Sequence, residues 1–83
     1  MEKQIVVKST VGLHASLAAE VVKAASKYSV KINLIYKNQT IDAKSILGLM
    51  SLAVPCGENV IVSATGDDAL AAIEDISSIL SKN

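Results

Sequence analysis

Phenylalanine, tryptophan and arginine do not occur in this 83-residue chain, which has one histidine, one cysteine and one proline. Tyr28 and Tyr36 are its only aromatic residues, too few rings for the base-stacking platform of a single-strand or RNA-binding sheet. Eight lysines balance eight carboxylates, so no broad basic field draws the chain onto nucleic acid. The lone Cys56 excludes an internal disulfide, and one cysteine with one histidine cannot build the usual structural zinc sites. No phosphate-loop or dinucleotide glycine pattern is present, so neither metal nor cofactor is expected. No apolar run is long enough to span a bilayer, and no basic-then-apolar segment opens the chain. Membrane insertion is therefore not expected, and the reducing cytosol is the expected location.

What the chain has in quantity is aliphatic side chains, enough for one small core without disulfide or metal. A single domain over 1–83 is expected, monomeric by default for a small neutral chain. Glu2 to Lys8, centred on Ile5-Val6-Val7, is a β-branched run ending in the polar turn Ser9-Thr10-Val11-Gly12. From Ala15 to Lys27, Leu17, Ala18, Val21, Val22 and Ala25 recur at helical spacing, with Glu20, Lys23 and Lys27 opposite. Val30, Ile32, Leu34 and Tyr36 alternate as in a half-buried strand, Lys37-Asn38-Gln39 turns the chain, and Thr40 to Asp42 closes a hairpin. Asn38-Gln39-Thr40 matches a glycosylation sequon, but the hairpin turn is the simpler reading.

Ser45 is placed to cap a short helix over Ile46 to Leu52, which Pro55-Cys56-Gly57 stops. Glu58 to Thr65 alternates again, and Gly66-Asp67-Asp68 turns and caps a final helix built on Leu70, Ile73, Ile76, Ile79 and Leu80. The order βαββαβα, with half-polar strands and one-sided helices, predicts an α+β fold in which one sheet is covered on a single face.

The one histidine lies in Gly12-Leu13-His14-Ala15-Ser16-Leu17, where the first helical pattern begins. The leading N–H groups of a helix lack intrahelical partners and together carry roughly half a positive charge, so an anion attached there is stabilised. A neutral imidazole has a lone pair that can attack phosphorus, which imidazolium lacks.

Gly12-Leu13-His14-Ala15, the segment Ala43-Lys44-Ser45-Ile46-Leu47-Gly48-Leu49-Met50-Ser51-Leu52 and the element order together resemble the HPr family of phosphocarriers. These carriers serve the sugar phosphotransferase system. The resemblance implies an open-faced β-sandwich: a four-stranded antiparallel sheet in order 1-4-2-3 with three helices on one face. It implies that His14 takes a phosphoryl group on Nδ1 from Enzyme I and gives it to EIIA domains, with the Ala15 and Ser16 amides as donors to the phosphate. Such a protein is a covalent carrier rather than a turnover enzyme. It implies too that Ser45 is the target of an HPr kinase/phosphorylase, that the phosphoserine form serves catabolite control protein A, and that Ile46, Leu47 and Met50 meet partners. Leu49 and Leu52, about a third of a turn away, are expected in the core.

One departure stands out. The family pattern places arginine two residues after the histidine and proline next; this chain has Ser16 and Leu17. A hydrogen bond to a charged group is worth roughly 1.5–3 kcal/mol, so transfer is expected to slow by about ten- to a hundredfold. The rival reading is a regulatory relative acting mainly through phospho-Ser45, with His14 slow or idle.

Overall fold

Period-two alternation and 3.6-residue periodicity each resolve into the elements they predict in the computed structural model, which describes residues 1–82. The strands are β1 (Glu2–Val6), β2 (Ile32–Tyr36), β3 (Gln39–Asp42) and β4 (Asn59–Ala64). The helices are α1 (Ala15–Ala25), α2 (Ile46–Leu52) and α3 (Ala69–Leu80). All strand pairs are antiparallel, in the order β1-β4-β2-β3.

Register follows from burial. Ile5 lies opposite Val60, Leu34 opposite both Val62 and Ile41, and Ile32 opposite Ala64, so these residues share the face that the helices cover. A slip of one residue would turn every one of them to solvent. Onto this face α1 lays Leu17, Ala18 and Val21, α3 lays Ile73, Ile76 and Leu80, and α2 lays Leu49 and Leu52. Each fully buried leucine or isoleucine, such as Leu34, Leu49 or Ile76, contributes about 1.5–3 kcal/mol. Glu2, Gln4, Thr40, Asp42 and Asn59 line the uncovered side and are exposed.

Element ends differ from the pattern where distant backbone groups intervene. The first strand, expected to reach Lys8, ends at Val6: Val7 accepts from Gly57 N–H at 2.8 Å, and Lys8 N–H turns to the Leu80 carbonyl at 3.1 Å. The first helix stops at Ala25, since Lys27 N–H and Tyr28 N–H reach back only three residues, to Ala24 and Ala25. Gln39 belongs to the strand and pairs with Tyr36, leaving a two-residue connection in which Lys37 has φ +55°. Primed hairpin turns require that sign at their first central residue. Asp68 occupies the cap position of α3 but makes no side-chain capping bond, contrary to expectation. Its φ of −96° and ψ of 14° depart from the extended backbone usual at that position.

Candidate functional site

The loop between β1 and α1 is built from backbone. Gly12 has φ +73°, and a Cβ there would strike the Val54 carbonyl oxygen and lie 3.1 Å from Pro55 Cα. Only glycine fits. Leu13, buried, donates its N–H to that same Val54 carbonyl at 2.8 Å, and Gly12 N–H donates to Ser9 O at 2.9 Å. The chain leaving α2 is thus the floor on which the loop rests.

His14 follows and is itself the N-cap of α1, with extended backbone (φ −105°, ψ −177°). Its carbonyl accepts the first helical bond, from Ala18 N–H at 2.8 Å, and its Nδ1 accepts from Ser16 N–H at 3.3 Å. The nitrogen that accepts carries the lone pair, which assigns the proton of the neutral ring to Nε2. The ring is half-buried, while Ala15 and Ser16 are exposed. Ala15 N–H, with Ser16 N–H, is among the helix's leading amides. The Nδ1 lone pair and the Ser16 N–H therefore meet at the helix start, with Ala15 N–H the amide before it.

Ser45 caps α2 in the same manner. Its Oγ accepts from Gly48 N–H at 3.1 Å, and its carbonyl accepts from Leu49 N–H at 3.0 Å. Asp42 fixes the approach: Oδ1 accepts from Lys44 N–H at 2.8 Å and the backbone carbonyl from Ser45 N–H at 3.0 Å. A Cβ on Gly48 would stand 2.5 Å from Ile41 Cγ2 and 3.2 Å from Ser45 Oγ. The glycine therefore admits both the strand beneath and the capping hydroxyl. Ser45 is exposed, as are Ile46, Leu47 and Met50, of which Leu47 is 78% accessible. Leu49 and Leu52 are buried, as their offset around the helix predicts. Ala53 ends the helix in the left-handed region, with φ 49° and ψ 45°.

The His14 loop and the α2 segment meet at Val54–Pro55, and α1 packs against α2. Sequence reasoning missed two parts of this region. Val11, 69% accessible, adds an apolar side chain to the loop, and the Val54 carbonyl supplies the floor. The only advance signal for the floor was a glycine in a turn, which does not name its neighbour. Cys56 is exposed beside this floor, its Sγ 3.9 Å from the Lys8 carbonyl oxygen. No group of three or more His, Cys, Asp or Glu residues able to hold a metal ion occurs among the described residues.

At the other end of α1 the chemistry is different. Asp75 on α3 accepts from Lys27 Nζ and Tyr28 OH, each at 3.0 Å. Those two bonds, Lys27 first, hold the Asp75 carboxyl below its usual range; the same carboxylate raises Lys27 and Tyr28 above theirs.

The model of the PTS-HPr family, described as the PTS HPr component phosphorylation site, matches residues 1–82. The chain belongs to the HPr family. Among solved HPr structures, HPr-C-His from Thermoanaerobacter tengcongensis is 41% identical, with 100% of this chain and 98% of that chain covered and a TM-score of 0.89. HPr from Bacillus anthracis is 32% identical over 96% of this chain and 95% of that one, TM-score 0.92. The Bacillus subtilis catabolite-repression protein Crh, a domain-swapped intertwined dimer, is 35% identical over 94% and 90%, TM-score 0.78. The order β1-β4-β2-β3 with three helices is the HPr open-faced sandwich, and family and fold together support a phosphocarrier role in the phosphotransferase system. No helix among the described residues is long and apolar enough to cross a membrane.

Proposed function

We propose that the chain, acting as one monomeric HPr-like domain in the cytosol, carries phosphoryl groups on His14 Nδ1 between Enzyme I and EIIA domains. The observation that supports this most directly is the 3.3 Å approach of Ser16 N–H to Nδ1 at the start of α1. In the transfer, the Nδ1 lone pair forms the N–P bond as the bond from phosphorus to the donor breaks. The leading amides, Ala15 N–H and Ser16 N–H, then donate to the charged phosphoryl oxygens. The protein supplies position and charge stabilisation, not turnover. No cofactor takes part, and the chain itself contacts no nucleic acid.

Ser45 is the regulatory site in this reading. Phosphorylation by an HPr kinase/phosphorylase adds about −1.5 to −2 charge on an exposed hydroxyl. Beside it, Ile46, Leu47 and Met50 form the partner contact, and the phosphoserine form acts with catabolite control protein A. Incubation with Enzyme I and phosphoenolpyruvate is expected to add an acid-labile phosphoryl mass that His14→Ala abolishes; an unlabelled wild type refutes the carrier.

A second reading is favoured by one observation, the serine at position 16 where the family pattern has arginine. In that reading the chain regulates through phospho-Ser45, and His14 passes nothing to EIIA at a useful rate. Ser16→Arg separates the two: faster loading from Enzyme I supports the carrier, and labelling confined to Ser45 with ATP and kinase supports the regulator.

A further inference from the structure

Two stretches of the chain, Ser9–Ala19 and Ser45–Gly57, contain no lysine, aspartate or glutamate, although sixteen such residues (eight of each sign) occur elsewhere. The fold packs these stretches together through Leu13, Gly12 and the Val54–Pro55 floor. Most of the charges that border them are drawn toward other parts of the fold. Glu20 meets Lys82, Lys44 Nζ donates to the Tyr28 carbonyl at 2.7 Å, and Lys8 lines a cleft with Glu74 and Ser81 of α3. Glu58 accepts from Tyr36 OH, and Lys37, over the Tyr36 ring, borders the last turn of α2 at Ser51 and Leu52. The large side chains the layer exposes are apolar, Val11, Ile46, Leu47 and Met50, beside the neutral Thr10, Ser16, Ser45 and Ser51. Within these two stretches, therefore, no fixed charge of either sign flanks His14.

We infer that this layer docks a protein whose own contact surface is apolar and uncharged except for one basic side chain that reaches the phosphoryl group on His14. The basic group rests on the carrier reading; the neutrality of the contact does not. Two arguments lead there. A partner charge pressed onto Leu47 or Met50 would lose its hydration and find no opposite charge, which is costly. A phosphoryl dianion on His14 has neutral donors at the helix start, since no arginine exists and neither stretch holds a lysine. The missing cation must come from across the interface. Encounter then proceeds without long-range steering, so its rate is nearly independent of salt.

The test compares wild type with Leu47→Lys and Leu47→Glu, changes at a side chain exposed enough to leave the core intact. Initial rates of acid-labile phosphoryl uptake from phosphoenolpyruvate and catalytic Enzyme I are followed from about 0.01 M to about 1 M KCl, over which the Debye length shrinks from about 30 Å to about 3 Å. Both variants are expected to load about tenfold slower than wild type, by similar factors, with a variant-to-wild-type ratio that salt leaves within about threefold. If one sign of charge accelerates loading, or the ratio returns to one in high salt, the partner surface is charged and the inference is overturned. A wild type that takes no label overturns the carrier reading and the basic group with it. A wild type that loads while its variants diverge by sign overturns the inference alone. Retention of the chain on uncharged phosphatidylcholine vesicles would assign the layer to lipid and overturn it as well.

Discussion

The layer around His14 and the polar seam along α3 are held together by opposite means. In the layer, a backbone carbonyl, a glycine with positive φ and two N-caps fix the chain, and the exposed side chains are aliphatic or neutral. In the seam, Lys27 and Tyr28 meet Asp75, Lys3 meets Glu74 at 3.9 Å, and Lys82 beside the end of α3 reaches Glu20. Every ion pair among the described residues lies in that seam. The contrast teaches that the proposed site is framed by main chain and caps, whereas the ion pairs gather along α3. Exposed pairs of that kind contribute little to stability.

Breaking the backbone frame of the layer is expected to have the largest effect. Gly12→Ala forces a side chain into the left-handed region and against the Val54 oxygen, and is expected to cost about 2–3 kcal/mol by urea denaturation. Loading of His14 falls with it, because the loop that positions the ring is displaced. Ser45→Ala removes the bond to Gly48 N–H and is expected to cost about 1 kcal/mol, while Ser45→Asp keeps an acceptor at the cap and loses less. Ala53→Gly sharpens the comparison from the other side. It removes the left-handed penalty at the end of α2 and is expected to stabilise by about 1 kcal/mol in the same assay.

The smallest effect belongs to the seam. Because the Asp75 carboxyl is held below its unfolded value, its contribution to stability is present above that value and is lost as pH falls through the folded one. The melting-temperature difference between wild type and Asp75→Asn is therefore expected to be steady near neutrality and to close in acid below about pH 4. For Lys27 and Tyr28, both raised, the contribution is present below the unfolded values and is lost as pH rises through the folded ones in strong alkali. A slope between pH 6 and 8 would contradict this assignment.

Periodicity, with turn and cap residues between the elements, carried the element order. The alternation of Ile32, Leu34 and Tyr36 and the spacing of Leu17, Val21 and Ala25 each name an element whose buried face is visible in sequence. The ends were less legible, since Val7 and Lys8 leave the strand for partners at Gly57 and Leu80, far away in the chain. Asp68 shows the limit of residue-type rules: the right residue stands at the cap with the wrong backbone angles. For the site, His14 and Ser45 could be singled out because each begins a helical pattern, and both are N-caps. The burial of Leu49 against the exposure of Leu47 was likewise readable from their offset around α2. The Val54 floor was not, because a carbonyl has no sequence signature. The absence of charge was in plain view, but it acquires meaning only when packing joins the two stretches into one surface.

The bond from Ser16 N–H to Nδ1 has one more consequence under the proposed chemistry. Once phosphorus takes the lone pair, the same amide is left with an oxygen to bind where it had a nitrogen. The Ser16 amide thus exchanges one acceptor for another and is bare in neither state. If that amide keeps an acceptor throughout, the start of α1 is held the same way laden or empty, and a partner that tells the two apart would read the load itself.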